Sequence, residues 1–198
     1  MKKILILFAH PAIHKSFINR NLINGIRDLE GVTITDLYET YPDFFIDVAA
    51  EQKQLLEHDV IIWHHPFYWY SAPAILKEWM DLVLQHGFAY GKTGRALEGK
   101  WVMSSVSTGG RQEVYAKDGA NQYTISEFLA PFRRSANLCY MEYLPPFVIH
   151  GSHLMTDDLL KKHVSDYRQI LTMIRDNKVT LDELGKMEYM NELILQNA

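Results

Sequence analysis

Residues 63–73 carry the densest group of side chains that could recognise a ligand. This segment reads WHHPFYWYSAP, with four consecutive aromatic residues shortly after a histidine pair. Aromatic rings and the backbone N–H groups beside them can pack along the face or edge of a planar, partly apolar molecule. The same rings could instead belong to the core or to a protein interface, and this segment alone does not separate the two interpretations.

Two further segments have features that bind anions. In residues 9–21, AHPAIHKSFINRN, Ser16 is placed as an N-cap, so its hydroxyl and the N–H groups of the helix start could hold a phosphate. In residues 105–116, SVSTGGRQEVYA, the adjacent Gly109 and Gly110 allow backbone N–H groups to form an anion-binding turn. A plain helix cap and a plain turn are the alternatives. The chain contains no GxGxxG or Walker motif, which disfavours a pyrophosphate-clamped dinucleotide or a nucleoside triphosphate.

The elements that position these segments alternate between strands and helices. Apolar runs predict strands at 3–8, 32–38, 59–66 and 100–110, and a last strand within 141–151, after Pro145 and Pro146. Helical spacing predicts helices at 16–29, 49–58, 73–85, 124–138 and 156–177, with Thr156 as a cap and a break at Pro131. This alternation indicates an α/β fold with a parallel sheet covered by helices on both faces.

Five strands in a chain of this length favour a flavodoxin-like, doubly wound sheet in the order 2-1-3-4-5. Ligands of such sheets bind outside the carboxyl ends of the strands, so we expect the three ligand-binding segments to meet there. We expect one domain over residues 1–198. Residues 181–198 form a helical extension of it, and its packing on the domain, a second subunit or a partner stays open.

Composition excludes several classes of function. The chain of 198 residues has a net charge of -4, which argues against nucleic acid as a partner. Cys139 is the only cysteine, so no internal disulfide forms, and we expect it to be a buried small residue. We interpret the short apolar run at the N-terminus as a buried strand rather than a signal peptide. His64 and His65 lack further ligands at metal-binding spacing, so we expect no metal. The single cysteine fits a reducing compartment and no apolar stretch is long enough to span a bilayer, so we expect a cytoplasmic protein.

Several motifs also resemble a known family. FAHP, SFIN, HPFYWYSAPAILKEWMDLVL, GFAYG and STGG resemble the flavodoxin-like NAD(P)H:quinone oxidoreductase family. Residues 37–52, LYETYPDFFIDVAAEQ, are similar to the ancillary flavoprotein subunits of glutathione-regulated potassium-efflux antiporters. The resemblance implies a homodimer with a flavin near the subunit interface. FMN is expected in preference to FAD, because no second glycine-rich motif is present for an adenine diphosphate.

The family's binding residues can be placed on this sequence. The resemblance implies that the flavin phosphate side is held by His10, Ser16, Phe17, Ile18 and Asn19. It implies that the isoalloxazine is lined by Phe67, Tyr68, Trp69 and Tyr70. It implies that the pyrimidine end is bonded by Ser107, Thr108, Gly109 and Gly110.

The resemblance also implies an activity, namely ping-pong hydride transfer from NAD(P)H through FMN to a quinone. A tyrosine and a histidine assist this reaction in some family members. Tyr115 stands at the tyrosine position, and the histidine position falls on Asn121, whose amide can donate a hydrogen bond but cannot deliver a proton. The alternative function is a regulatory subunit bound to a membrane antiporter, with turnover secondary. A flavodoxin-type electron carrier is disfavoured by the only mildly acidic charge.

Overall fold

The computed structural model describes residues 1–195, in which a parallel sheet lies between two layers of helices. Its strands are β1 (Ile4–Phe8), β2 (Val32–Asp36), β3 (Val60–Pro66), β4 (Trp101–Ser107), β5 (Glu142–Tyr143) and β6 (Phe147–Ile149). The order is β2-β1-β3-β4-β5, with β6 also paired to β4, and every pair is parallel. The predicted fold class and strand order are confirmed.

The fifth position of the sheet differs from the expected single strand. Two short strands, β5 and β6, occupy it, and Pro145 and Pro146 lie between them. Proline has no N–H to donate, so the hydrogen-bond ladder to β4 is interrupted and resumes at Phe147. The outer edge of β6 is covered by Asn191, whose Oδ1 accepts from Val148 N and whose Nδ2 donates to Val148 O, both at 2.9 Å.

Most helices begin and end close to the predicted positions, but the first ends at Asn24 rather than residue 29, and a short additional helix begins at Leu37, within the predicted strand 32–38. They are α1 (Phe17–Asn24), α2 (Leu37–Thr40), α3 (Val48–Glu57), α4 (Ala74–Val83), α5 (Ile125–Phe128), α6 (Ala130–Leu138), α7 (Asp157–Arg175), α8 (Leu181–Leu184) and α9 (Glu192–Leu195). Ser16 and Thr156 cap α1 and α7 as predicted, since their side chains accept from backbone N–H groups of the first turn. The predicted helix over 124–138 is divided into α5 and α6, with Pro131 in the first turn of α6.

Two hydrophobic layers cover the sheet. Leu5 and Leu7 of β1 face the layer of α2 to α6, whereas Ile4, Ile6 and Phe8 face the layer of α1 and α7 to α9. This alternation explains why the first strand is a continuous apolar run, since both faces of a central parallel strand are buried. Cys139 is buried in the first layer, as predicted, and burial raises the pKa of its thiol to about 11.

The C-terminal segment packs on the second hydrophobic layer. Leu184 and Met190 are almost completely buried there, and Met190 N donates to Pro146 O at 2.9 Å. The segment consists of two short helices joined by a turn rather than one helix, and the predicted extension also includes residues 196–198, which lie outside the described residues. No helix within residues 1–195 has the length and apolarity that crossing a membrane requires.

Candidate functional site

A cavity of about 730 Å³ opens at the carboxyl ends of β1, β3 and β4. Its size lies within the range of small-molecule sites, roughly 300–1,000 Å³. The loops after these strands meet here because β1 and β3 are neighbours at the point where the strand order reverses. The predicted residues that line it are His10, Ser16, Phe17, Ile18, Asn19, Phe67, Tyr68, Trp69, Tyr70, Ser107, Gly109, Gly110, Tyr115 and Asn121.

Thr108 does not line the cavity; it is buried behind the glycine turn. Sequence reasoning did not select five residues that do line the cavity, namely Ala12, Lys15, Pro66, Ser152 and His153. Lys15 directly precedes the predicted cap, and Ser152 and His153 follow β6 at the same edge of the sheet. The rule that loops after parallel strands share one edge could therefore have found them.

A hydrogen-bonded cluster connects the loops on one side of the cavity. We refer to the lining residues Ser16, Asn19, Ser107, Gly109 and Gly110, together with the buried Thr108 behind them, as the polar half. Asn19 is buried, and its Nδ2 donates to Ser16 Oγ at 3.1 Å and to Ser107 Oγ at 2.9 Å. Ser16 Oγ also accepts from Asn19 N at 3.1 Å. One amide side chain thus ties the start of α1 to the end of β4.

His64 and Tyr167 support Asn19 from beneath. His64 Nε2 lies 3.2 Å from Asn19 Oδ1, and His64 Nδ1 lies 3.2 Å from the Tyr167 hydroxyl. Burial lowers the pKa of His64 to about 3, so the imidazole is neutral near pH 7. Because Asn19 Oδ1 can only accept, the ring proton of His64 lies on Nε2, and Nδ1 accepts from Tyr167. This arrangement fixes the orientation of the Asn19 amide.

The glycine turn is braced by the loop that follows β6. Gly110 O accepts from Thr108 Oγ1 and from Gly151 N, both at 2.8 Å, and Thr108 O accepts from Ser152 N at 2.9 Å. A Cβ atom on Gly110 would lie 2.7 Å from Val114 Cγ2, so another residue here would displace the Val114 side chain, which belongs to the 3₁₀ turn at Gln112–Tyr115. Gly110 therefore permits close packing against the side chains of Val114 and Tyr115.

The opposite wall is aromatic and strained. We refer to Phe67, Tyr68, Trp69 and Tyr70, together with Tyr115, as the aromatic half. Ser71 N donates to Tyr68 O at 3.0 Å, and the two central residues, Trp69 and Tyr70, have φ values of 50° and 60°. These features define a type I′ turn, whose central positions normally carry glycine, asparagine or aspartate. Two large residues in such positions are a backbone outlier, which is a feature that clusters at ligand-binding sites.

Of the two predicted catalytic residues, Tyr115 belongs to this aromatic half and Asn121 contacts it. The Tyr115 ring packs on Phe67 with centroids 5.8 Å apart, and burial is the main cause that raises the pKa of its hydroxyl. Asn121 Oδ1 accepts from the Tyr70 hydroxyl at 3.3 Å. Tyr70 also stacks on Phe128 with centroids 5.1 Å apart. Tyr115 and Asn121 therefore lie on the cavity, and Tyr115 keeps its proton near pH 7.

The charge of the cavity favours an anion at one end. Among the lining residues of the described chain, Lys15 is the one lysine or arginine and no acidic side chain is present. His10 adds little charge, since burial lowers its pKa; its Nδ1 accepts from Ala12 N at 3.1 Å. Lys15 precedes Ser16, where the N-terminus of α1 adds the positive end of the helix dipole. An anionic group would bind here, with an apolar ring system against the aromatic half.

Comparison with known proteins places this architecture in a family. A family model described as a flavodoxin-like fold matches residues 2–171. The glutathione-regulated potassium-efflux system ancillary protein KefG of Serratia proteamaculans (strain 568) is 44% identical over 165 residues, which cover 83% of this chain and 90% of that protein.

Solved structures are similar over most of the chain. General stress protein 14 of Treponema denticola, in complex with FMN, has a TM-score of 0.80 at 36% identity and covers 92% of this chain and 99% of its own. An NADPH-quinone reductase from P. pentosaceus has a TM-score of 0.78 at 36% identity, with coverages of 84% and 96%. A chain described as a tryptophan halogenase from Streptomycin violaceusniger has a TM-score of 0.82 at 43% identity, with coverages of 83% and 96%. The protein described here belongs to the family of proteins with the flavodoxin-like fold.

Proposed function

We propose that this protein is a flavin-dependent NAD(P)H:quinone oxidoreductase that binds FMN in the cavity. The observation that carries the proposal is the convergence of a phosphate-accepting helix start, an aromatic wall and a glycine turn on one cavity. The relatives carry different names, so the proposal depends on this site first. The FMN complex of the Treponema protein and the quinone-reductase name of the P. pentosaceus protein support it.

The phosphate end of the cavity fits a mononucleotide. Ser16 Oγ accepts two hydrogen bonds from Asn19, so the single proton of the hydroxyl remains for an anion. The first N–H groups of an α-helix have no partner within the helix, and in α1 they lie beside this hydroxyl. Lys15 supplies a positive charge. These groups would hold one phosphate, as FMN requires. FAD would need a second site for its adenine diphosphate, and no second glycine-rich motif is present for it, so FMN is proposed in preference to FAD.

The other two walls fit a planar ring with a polar edge. When bound, FMN would supply the hydride-accepting and hydride-donating chemistry between NAD(P)H and the quinone. Phe67 to Tyr70 would orient the ring, and the backbone amides of Gly109 and Gly110 would stabilise negative charge on its polar edge. Tyr115 would hold its proton at the hydroxyl oxygen, beside Gly110. Asn121 would contribute a neutral hydrogen bond.

Cofactor analysis of the purified protein tests the proposal directly. We expect a flavin absorbance band, FMN as the species released by heat, and oxidation of NADH or NADPH that depends on an added quinone. Tyr115→Phe is expected to slow turnover while the flavin remains bound. Absence of a flavin, FAD as the sole species, or bound FMN without quinone-dependent turnover would each overturn a stated part of the proposal.

We propose that the protein acts as a homodimer. Trp69 and Phe45 are 93% and 83% exposed, which is unusual for side chains of this size. A stable dimer that covers such residues buries more than about 1,000 Å² in total. Sedimentation analysis of the flavin-bound protein is expected to show a dimer at micromolar concentration, and a monomer there would contradict this part.

A second candidate function is that of an ancillary subunit of a potassium-efflux antiporter. The similarity to KefG favours it, since the alignment covers 90% of that protein. In this role the protein would lie at the inner face of the cell membrane through its partner. Potassium efflux can be measured in cells that contain the antiporter of the Serratia system, with and without this protein. Efflux that is unchanged by this protein would contradict the ancillary-subunit function. If the Tyr115→Phe variant still changes efflux, the ancillary function does not depend on enzymatic turnover.

A further inference from the structure

His150 directly follows β6 and lies behind the glycine turn, outside the residues that line the cavity. Its Nδ1 is 3.2 Å from Thr108 Oγ1. Its ring lies 5.7 Å from the ring of Tyr115 and 6.2 Å from the ring of Tyr189, measured between centroids. Its Nε2 is buried and has no hydrogen-bond partner within residues 1–195. Within these residues, His150 is therefore hydrogen-bonded through Nδ1 alone, to Thr108, which supports the glycine turn.

The hydrogen bonds around Thr108 determine where the proton of His150 lies. The Thr108 hydroxyl has one proton, and Gly110 O lies 2.8 Å from Oγ1. If the hydroxyl donated to His150 instead, two oxygen lone pairs would face each other at this distance, which is repulsive. The hydroxyl therefore donates to Gly110 O and accepts from His150 Nδ1–H. The lone pair of the neutral ring then lies on Nε2, the nitrogen without a partner.

We propose that His150 is a positioning residue, whose Nδ1–H orients the Thr108 hydroxyl so that it holds the Gly110 carbonyl away from the cavity. The carbonyl also accepts from Gly151 N at 2.8 Å, on the side of the loop after β6. A carbonyl oxygen turned towards the cavity would repel an anionic ligand edge, whereas N–H groups stabilise it. The sequence had placed the histidine position of this site at Asn121. His150 reaches the turn from the opposite side.

His150 acts through its tautomer rather than through charge. Burial lowers the pKa of its imidazole to about 4, although Glu113 nearby opposes the shift, so the ring is neutral near pH 7. The groups that face it are Thr108, Tyr115 and Tyr189, none of which is charged near pH 7. The expected effect of His150 on the affinity for reduced flavin rests on the proposed function. The tautomer of His150 can be tested whether or not the protein binds flavin.

The first test uses flavin-free protein. Long-range ¹⁵N–¹H NMR spectra at pH 7 report which nitrogen of each histidine carries the proton, and the spectrum of His150→Asn assigns the His150 signals by their loss. We expect Nδ1 to be protonated and Nε2 to be unprotonated. An Nε2–H tautomer, or a charged ring at pH 7, would overturn the inference whether or not the protein binds flavin.

The second test compares variants that keep different nitrogens. His150→Asn retains a donor at the Nδ1 position, whereas His150→Gln retains one only near Nε2. Redox titration of the flavin gives the affinity for reduced relative to oxidised flavin. We expect this ratio to fall on the order of tenfold in His150→Gln, as for one lost hydrogen bond, and to stay near wild type in His150→Asn.

Thr108→Val removes the other partner of the same hydrogen bond. It should lower the ratio as His150→Gln does, and the double variant should lower it no further, because both changes break one chain of hydrogen bonds. A wild-type ratio in His150→Gln, or an equal loss in His150→Asn and His150→Gln, would overturn the inference while leaving flavin binding intact. Failure of the wild-type protein to bind flavin would overturn the proposed function instead.

Discussion

The polar and aromatic halves of the cavity are held in place by different means. Asn19 and Thr108 of the polar half are buried, and their side chains bond to Ser107 and His150, which are 88 and 42 residues away in the chain. Trp69 of the aromatic half is 93% exposed, and its backbone lies in the left-handed region. The polar half is thus organised by the protein itself. The aromatic half is strained and exposes apolar surface, as expected for a wall completed by a ligand or a second subunit.

The aromatic half depends on the polar half for its position. Phe67 N donates to Ser107 O at 2.8 Å, so the start of the aromatic turn is fixed by the end of β4. At the other end, α4 begins directly after Pro73. Tyr70 is held between Phe128 and Asn121. The strained turn persists because both of its flanks are fixed, and the loss of the polar half is expected to affect both walls.

Asn19→Ala should have the largest effect. The change leaves Ser107 and His64 without their common partner, and a buried unsatisfied group costs about 1–3 kcal/mol. We expect the free energy of unfolding to fall by about 2–4 kcal/mol and flavin binding to be lost. Urea denaturation of the flavin-free protein measures the first effect. Asn24→Ala, an exposed position at the end of the same helix, is the control, and equal losses in both variants would contradict the central role of Asn19.

Ser16→Ala tests whether the helix start binds a phosphate in addition to being capped. We expect flavin affinity to weaken by about 1–3 kcal/mol because the hydroxyl donor is lost. Thr156→Ala is the matched control, since Thr156 caps α7 in the same way and lies away from the cavity. Both variants should lose about 0.5–2 kcal/mol of stability, but only Ser16→Ala should raise the flavin dissociation constant. If the two bind flavin equally well, the phosphate assignment fails.

The buried His64 should make stability depend on pH. Burial lowers its pKa from 6.5 to about 3, so the unfolded chain takes up a proton near pH 6.5 and the folded protein does not. The unfolded state then binds more protons, and the free energy of unfolding decreases as pH falls from about 6.5 towards 3. The slope from this group is about 1.4 kcal/mol per pH unit, or about 2 kcal/mol between pH 6.5 and 5.

His64→Gln isolates this contribution. Glutamine can still donate to Asn19 from near the Nε2 position but does not titrate, and the other ionisable groups cancel in the difference between the two proteins. Denaturant unfolding at several pH values should give a shallower decline for the variant below about pH 6.5. Parallel declines would show that His64 takes up its proton over the same pH range in the folded and unfolded states, so that its pKa is not lowered by burial.

Trp69→Gly should have the smallest effect on stability. The glycine variant should also be more stable than the alanine variant, the reverse of the usual order. Trp69 is 93% exposed and has a φ of 50°, so removing its side chain loses little packing and relieves a left-handed conformation. Trp69→Ala loses the same ring but keeps the strain. We expect the glycine variant to have a free energy of unfolding about 1 kcal/mol above that of the alanine variant. Both should bind flavin more weakly, and an alanine variant that is at least as stable would show that the turn is not strained.

Local patterns along the chain are enough to predict the layers, the strand order and the side of the sheet on which we expect a ligand. Those features follow from local signals, such as the buried run of β1, the caps at Ser16 and Thr156, and the break at Pro131. The interruption by Pro145 and Pro146 was also visible, but its consequence for the sheet was not. Periodicity reports which face of an element is buried, and this is enough to choose a fold from a small set.

The walls of the cavity are held by contacts that form only in the folded protein. His64 and Tyr167 are 103 residues apart in the chain, and Thr108 and His150 are 42 apart. Such pairs meet only after the sheet and its helices have packed, and no periodicity encodes them. The left-handed turn at Trp69 and Tyr70 was equally hidden, because large aromatic residues carry no local preference for it. It is imposed by the fixed flanks, so its strain is a property of the folded protein rather than of its sequence pattern.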